Sequence, residues 1–146
     1  MLSSPPQLPE SKVNRLFIFT DRRDWPAVRD CFAPEVRFNM TVAAGGEDAT
    51  LTPWEIAEGW EQGLINLEAV HHQAGNHVVT VRGGEADAFC YGIASHYRTT
   101  KSGHNTNVFV GSYDFHLVET EGGWKIDRFR FNLKYIDGNR NLDTDE

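Results

Sequence analysis

The sequence predicts one α+β domain, with N-terminal helices packed on a strongly curved antiparallel sheet. Three observations lead there. The chain has 146 residues, 40% of them hydrophobic, which is enough for one core and too short for two. Helical spacing and helix caps crowd into the first half. Long strands joined by glycine-rich turns fill the second. Helices first and hairpins after place the helices on one side of the sheet, and a cone of this kind encloses space suited to a ligand.

Residues 1–10 hold Pro5, Pro6 and Pro9 and read as a flexible arm. The domain is expected over 11–136, with 137–146 an acidic, frayed tail. Ser11 is placed to cap a first helix whose apolar positions Val13, Leu16, Phe17 and Thr20 keep helical spacing. Asp24 then caps a short helix through Trp25, Pro26, Ala27 and Val28, ending near Ala33-Pro34. A strand is expected from Val36 to Val42, before a Gly45-Gly46 loop. Thr52-Pro53-Trp54-Glu55 is a capping box with proline at the first helical position, opening a helix to about Gly63. Strands are expected near 77–82, 86–99, 106–119 and 124–136. Gly83-Gly84, Lys101-Ser102-Gly103 and Glu121-Gly122-Gly123 suit the connections between them.

Composition excludes several functions. With 14 basic against 21 acidic side chains and a formal charge of −7, the chain lacks the basic surface that nucleic-acid phosphates require. No apolar run approaches the roughly 20 residues of a membrane-spanning helix, and the first residues lack the charged and apolar regions of a secretory signal. Cys31 and Cys90 form no C-x-x-C pair and read as reduced, buried thiols of a cytoplasmic protein. No phosphate-binding glycine loop and no G-x-S-x-G nucleophile motif is present. No cofactor is expected.

The chemistry-bearing candidates are a carboxylate and the histidines. Asp21 lies one helical turn beyond Phe17 and two beyond Val13, so it continues the apolar face. There it either caps its helix in solvent or is held inside by a partner. His71 and His72 are adjacent; in an extended segment they point to opposite faces, so one of them faces a cavity. His96 shares a strand face with Ala88, Cys90, Gly92 and Ala94, whose small side chains either leave room for a ligand or let a helix approach. His104 and His116 are assigned no role. An Asp–His pair makes a general base, the carboxylate fixing the tautomer and steadying the imidazolium. A metal site is the second possibility, but no H-x-x-x-H or H-x-H spacing supports one and no metal is expected. Hydrogen-bonded core histidines are the third. The expected pocket walls are Phe17, Phe38, Met40, Trp54, Tyr91, Phe109, Tyr113 and Phe131, which favour a flat, apolar ligand. Trp60, Phe89, Phe115 and Phe129 join them among the aromatics, most of which a domain of this size needs as core.

Three stretches carry a family resemblance: Thr20-Asp21-Arg22-Arg23-Asp24-Trp25 with Cys31-Phe32-Ala33-Pro34 behind it, His71-His72-Gln73-Ala74-Gly75-Asn76-His77, and Gly122-Gly123-Trp124-Lys125-Ile126. Over residues 10–136 the chain resembles the SnoaL-like branch of the NTF2-like superfamily, a cystatin-like α+β barrel, and its pattern is similar to scytalone dehydratase. That resemblance implies an active site of Asp21, His72 and His96. An Asp–His dyad at the first two positions is also similar to hexachlorocyclohexane dehydrochlorinases and bile-acid 7α-dehydratases, which remove a proton from carbon and expel a β leaving group. The tyrosines of scytalone dehydratase fall on Thr20 and Met40, and its serine and asparagine substrate contacts on Gly111 and Tyr113, so scytalone itself is not the expected substrate. The resemblance implies a cofactor-independent lyase or dehydratase, or a related isomerase or cyclase, acting on a small hydrophobic cyclic molecule. His72 would be the base, Asp21 its orienting partner, and His96 an acid or hydrogen-bond donor. The alternatives are a non-catalytic module of the same fold, binding a hydrophobic ligand or serving assembly, and a subunit supporting an oxygenase. Self-association as a dimer or trimer is expected, because the outer face of such a sheet needs covering.

Overall fold

The computed structural model describes residues 7–40 and 47–145. Three helices lead the chain: α1 (Pro9–Asp21), α2 (Trp25–Asp30) and α3 (Pro53–Leu64). Six strands make one sheet: β1 (Phe32–Asn39), β2 (Ala49–Leu51), β3 (Ala69–Arg82), β4 (Glu85–Tyr97), β5 (Thr106–Thr120) and β6 (Gly123–Gly138), in the order β2-β1-β6-β5-β4-β3. Every neighbouring pair is antiparallel except β1 and β6, which are parallel. Irregularities at Gly75/Val78, Val110/Gly111 and His116/Leu117 bend the long strands. The sheet curves without closing, and the helices lie against its concave side.

α1 turns one stripe inward, with Val13, Leu16, Phe17 and Thr20 buried, because residues three and four apart share a helix face. It starts two residues before the expected Ser11, at Pro9, with Leu8 in the cap position and no side-chain cap. Proline at the first turn forfeits no helical hydrogen bond. Asp24 caps α2 as expected, accepting from the Ala27 N–H at 3.2 Å, and the Thr52–Glu55 capping box is present on α3. Arg23, with φ 57°, turns the chain out of α1. Its guanidinium donates to the Leu64 and Leu67 carbonyls at 3.1 and 2.6 Å, tying the α1–α2 corner to the end of α3.

Several other features differ from expectation, beginning with α2, which ends at Asp30 rather than near Ala33-Pro34. β1 begins at Phe32, four residues early, and takes Pro34 into the stretch between Phe32 and Arg37 where its register with β6 shifts; a residue without N–H is tolerated there. Val42 and the Gly45-Gly46 loop lie outside the described residues, as do residues 1–6. The short β2 was not anticipated. β3 begins at Ala69 rather than His77, because Asn76, with φ 56°, interrupts the strand's alternation without ending it. The C-terminal segment, expected to fray, is anchored: Leu142 is 3% exposed and packs with Leu64, Leu67 and Val70, while Arg98 donates to the Leu142 and Asp145 carbonyls.

Candidate active site

Asp21 ends α1 with its carboxylate turned toward β3. Oδ1 stands 2.6 Å from His72 Nδ1, and Oδ2 accepts from the His72 backbone N–H at 2.9 Å. Both oxygens thus hold one residue, by its ring and by its main chain. A carboxylate partner selects the Nδ1–H tautomer and leaves Nε2 as an acceptor. The two side chains are 14% and 19% exposed, so the pair is largely withdrawn from water while still reached by it. Phe17, one turn before Asp21, lies parallel to the imidazole with centroids 5.3 Å apart and planes 8° apart. The extended backbone sends the neighbouring His71 outward, where it is exposed.

His96 shares this face. Across β3 and β4, His72 pairs with Ala94 and Val70 with His96, so the two histidines are diagonal neighbours on the concave surface, roughly 7–8 Å apart by strand geometry. Burial, with the nearby His72 second, pulls the His96 pKa down from 6.5 to about 4. At neutral pH it is therefore an uncharged imidazole with an N–H to donate.

Both histidines wall a cavity of about 220 Å³. Phe17 and Thr20 of α1, Gly59, Trp60, Gly63 and Leu64 of α3, and Met40 form one side. Ala94, Phe109, Tyr113, Phe129 and Phe131 of the sheet form the other. Two glycines shape that floor. Gly92 and Gly111 face each other across β4 and β5. A Cβ on Gly92 would fall 2.2 Å from the Tyr113 ring, and one on Gly111 would fall 2.1 Å from the Asn132 carbonyl oxygen. Their bare backbones let the Tyr113 and Phe131 rings lie close against the sheet. On α3, by contrast, a Cβ added to Gly59 or Gly63 meets nothing within 4 Å.

Of the expected pocket residues, Phe17, Met40, Phe109, Tyr113 and Phe131 line this cavity. Three lie elsewhere. Phe38 sits behind the wall, stacked on Phe129 at 5.2 Å. Trp54 is 68% exposed on the first turn of α3, under the Arg29 guanidinium at 3.7 Å. Tyr91 is 46% exposed on the convex face beside Lys134; strand parity requires this, since Cys90 and Gly92 point inward. Thr20, Gly59, Trp60, Gly63, Leu64, Ala94 and Phe129 complete the lining beyond the expected set. The i, i+4 pair Gly59 and Gly63 on the strongly patterned α3 was the available signal for that helix wall.

Other reactive groups are placed away from such work. Burial raises the Cys31 and Cys90 thiols to about 11 and about 12, so neither is a thiolate at neutral pH. A second Asp–His contact, Asp127 to His116 at 2.6 Å, has Glu85 at 3.2 Å from the other ring nitrogen and lies outside this cavity. Among the described residues no three His, Cys, Asp or Glu side chains converge as a metal-ligand set, and no helix is long and apolar enough to cross a membrane.

This architecture defines a class. The chain belongs to the SnoaL-like domain family, whose model matches residues 11–130. Among solved structures it is similar to the Kfla4162 protein of Kribbella flavida, with a TM-score of 0.84 and 19% identity over 92% of this chain and 93% of that one. It is also similar to a Novosphingobium aromaticivorans protein provisionally named a scytalone dehydratase (TM-score 0.76, 17% identity, 90% and 85% covered). A third is an NTF2-like superfamily protein of Salmonella enterica (TM-score 0.70, 16% identity, 86% and 87% covered). A comparison with curated proteins found no match.

Proposed function

We propose that this protein is a cofactor-independent lyase of the dehydratase kind, or a related isomerase or cyclase, acting on a small hydrophobic cyclic substrate. One observation carries the reading: the Asp21 carboxylate grips both the ring and the backbone N–H of His72 on the wall of an apolar cavity. In the proposed reaction His72 Nε2 removes a proton from a carbon beside a carbonyl. The C–H electron pair passes into the enolate and then becomes the new C=C bond as the β-hydroxyl leaves with the C–O bonding pair, taking up the proton held by the imidazolium to depart as water. Asp21 stabilises the imidazolium formed. His96, uncharged, donates a hydrogen bond to the developing oxyanion or to the leaving group. At about 220 Å³ the cavity is smaller than the roughly 300–1,000 Å³ of drug-sized pockets, which supports a ligand of one or two rings. The dehydratase name given to one solved relative agrees with this chemistry.

Cyclic β-hydroxy ketones, followed by growth of enone absorbance, test the proposal. His72→Ala and Asp21→Asn should each lose about 10²–10⁴-fold in turnover while keeping the circular dichroism of the parent. Unchanged turnover in either variant refutes the assignment. Saturable ring binding without turnover of any such ketone would favour the ligand-binding module. The proposal includes self-association through the convex face, where Tyr91, Ile93 and Tyr135 are 46%, 46% and 57% exposed; a monomer in sedimentation equilibrium at micromolar concentration would overturn that part.

A further inference from the structure

A second cavity, of about 290 Å³, adjoins the first and shares Gly63, His96 and Phe109 with it. Asn107 of β5 and the C-terminal residues Arg140 and Asp143 also wall it. Asn107 is 6% exposed, and its Oδ1 has no hydrogen-bond partner among the described residues. Buried polar atoms in native proteins nearly always have a partner; this one lacks it, on a residue that walls the cavity. Asn107 pairs directly with His96 across β4 and β5. The orphan amide therefore stands beside the imidazole that walls both cavities.

We infer that the substrate has two parts: the reacting ring beside His72, and a short arm whose hydroxyl passes His96 and bonds the Asn107 amide. The inference rests on the proposed reading of the first cavity as the substrate site. Two points favour a hydroxyl. It donates to Oδ1 and also accepts, so it satisfies the amide in either orientation. Opposite charges meet at the far wall, where an ionised carboxylate would face Asp143 and an ammonium would face Arg140. A neutral arm avoids both conflicts.

NMR titration of the intact protein with matched ligands tests this. The probes are benzyl alcohol, 2-phenylethanol and 3-phenylpropan-1-ol against toluene, ethylbenzene and propylbenzene. A hydroxyl that finds no partner in an apolar site makes its alcohol the weaker binder. The expected result is that one arm length reverses this order, binding several-fold more tightly than its hydrocarbon. Asn107→Leu should then lower that alcohol's affinity by about tenfold and leave the hydrocarbon's unchanged. Asn107→Ser, with a hydroxyl on a shorter side chain, should move the optimum to the next longer arm. Alcohols weaker than their hydrocarbons at every length, or a preference that survives in Asn107→Leu, overturn the inference while leaving the ring site standing. If neither series shifts the cavity residues, the ring site falls and this inference falls with it.

Discussion

Asp21→Asn is the most informative single change, because its effect is read on one ring without knowledge of the substrate. The carboxylate presents two acceptors to two donors, the Nδ1–H and the backbone N–H of His72, at 2.6 and 2.9 Å. An amide presents one acceptor and one NH₂. The backbone N–H is a fixed donor and takes the oxygen. The NH₂ then faces Nδ1, and the imidazole accommodates it by moving its proton to Nε2. The variant should thus keep its base in place but in the tautomer that has no lone pair toward the cavity. Hydrogen bonds to charged groups are each worth about 1.5–3 kcal/mol. With both side chains partly exposed, the loss should sit near the lower end, at about 2 kcal/mol. In a domain of this length that corresponds to a Tm fall of about 4–8 °C. Long-range ¹H–¹⁵N NMR of the histidine rings, recorded on the alkaline side of their titration, reports the protonated nitrogen directly. His72 carrying its proton on Nε2 in the parent, or on Nδ1 in both proteins, would refute the reasoning.

Three further outcomes are expected. The His96 pKa of about 4 in the fold against 6.5 unfolded means that the unfolded chain binds more protons between those values. Stability from the neutral imidazole is complete above pH 6.5 and declines as pH falls through 4, by at most about 3 kcal/mol. Urea midpoints at pH 7 and pH 4 should therefore diverge more for the parent than for His96→Gln, and equal divergence contradicts the assignment. Gly92→Ala puts a methyl 2.2 Å from the Tyr113 ring and should cost about 1–3 kcal/mol by overpacking. The same change should cost far less in a Tyr113→Ala background, and additivity of the two would disprove the contact. Leu142→Ala removes the buried anchor of the C-terminal turn at a cost of about 2–5 kcal/mol. Amide exchange should accelerate over residues 139–145 while β5 and β6 keep their protection; uniform acceleration would instead show that the turn and sheet open together.

Polar and glycine signals made much of the architecture readable before any coordinates. The Thr52–Glu55 capping box, Asp24 as a cap and the Gly83-Gly84 turn act within a few residues, and all three stand where local chemistry puts them. The early half of β3 was hidden because Gly75 and Asn76 look like a strand end, while the neighbouring strand β4 carries the pairing across the irregularity. Leu142 was hidden for the opposite reason: one apolar residue in an acidic stretch gives no local pattern, and its burial depends on Leu64, Leu67 and Val70 arriving from elsewhere. In the candidate site, Asp21 was visible as a carboxylate continuing an apolar stripe. Its partner, 51 residues away, entered through the family resemblance, since spacing left the choice between the two adjacent histidines open. Trp54 and Tyr91 were misplaced by treating aromatics as a group; the parity of β4 and the helical phase of α3 already turned them outward. Asn107 carried no signal at all, because an asparagine in a strand becomes unusual only when its neighbours fail to bond it.

The two glycines of α3 have a bearing on how this scaffold could be altered. A helical glycine sacrifices roughly 1 kcal/mol relative to alanine, and Gly59 and Gly63 both open onto the cavity with nothing within 4 Å of an added Cβ. Substitution there should strengthen the helix and narrow the chamber in one step, with Asp21 and His72 held by α1 and β3 rather than by α3. Chemistry and volume are thus carried by separate segments, and a directed library confined to positions 59 and 63 could change which molecules fit while leaving the proton-handling pair in place.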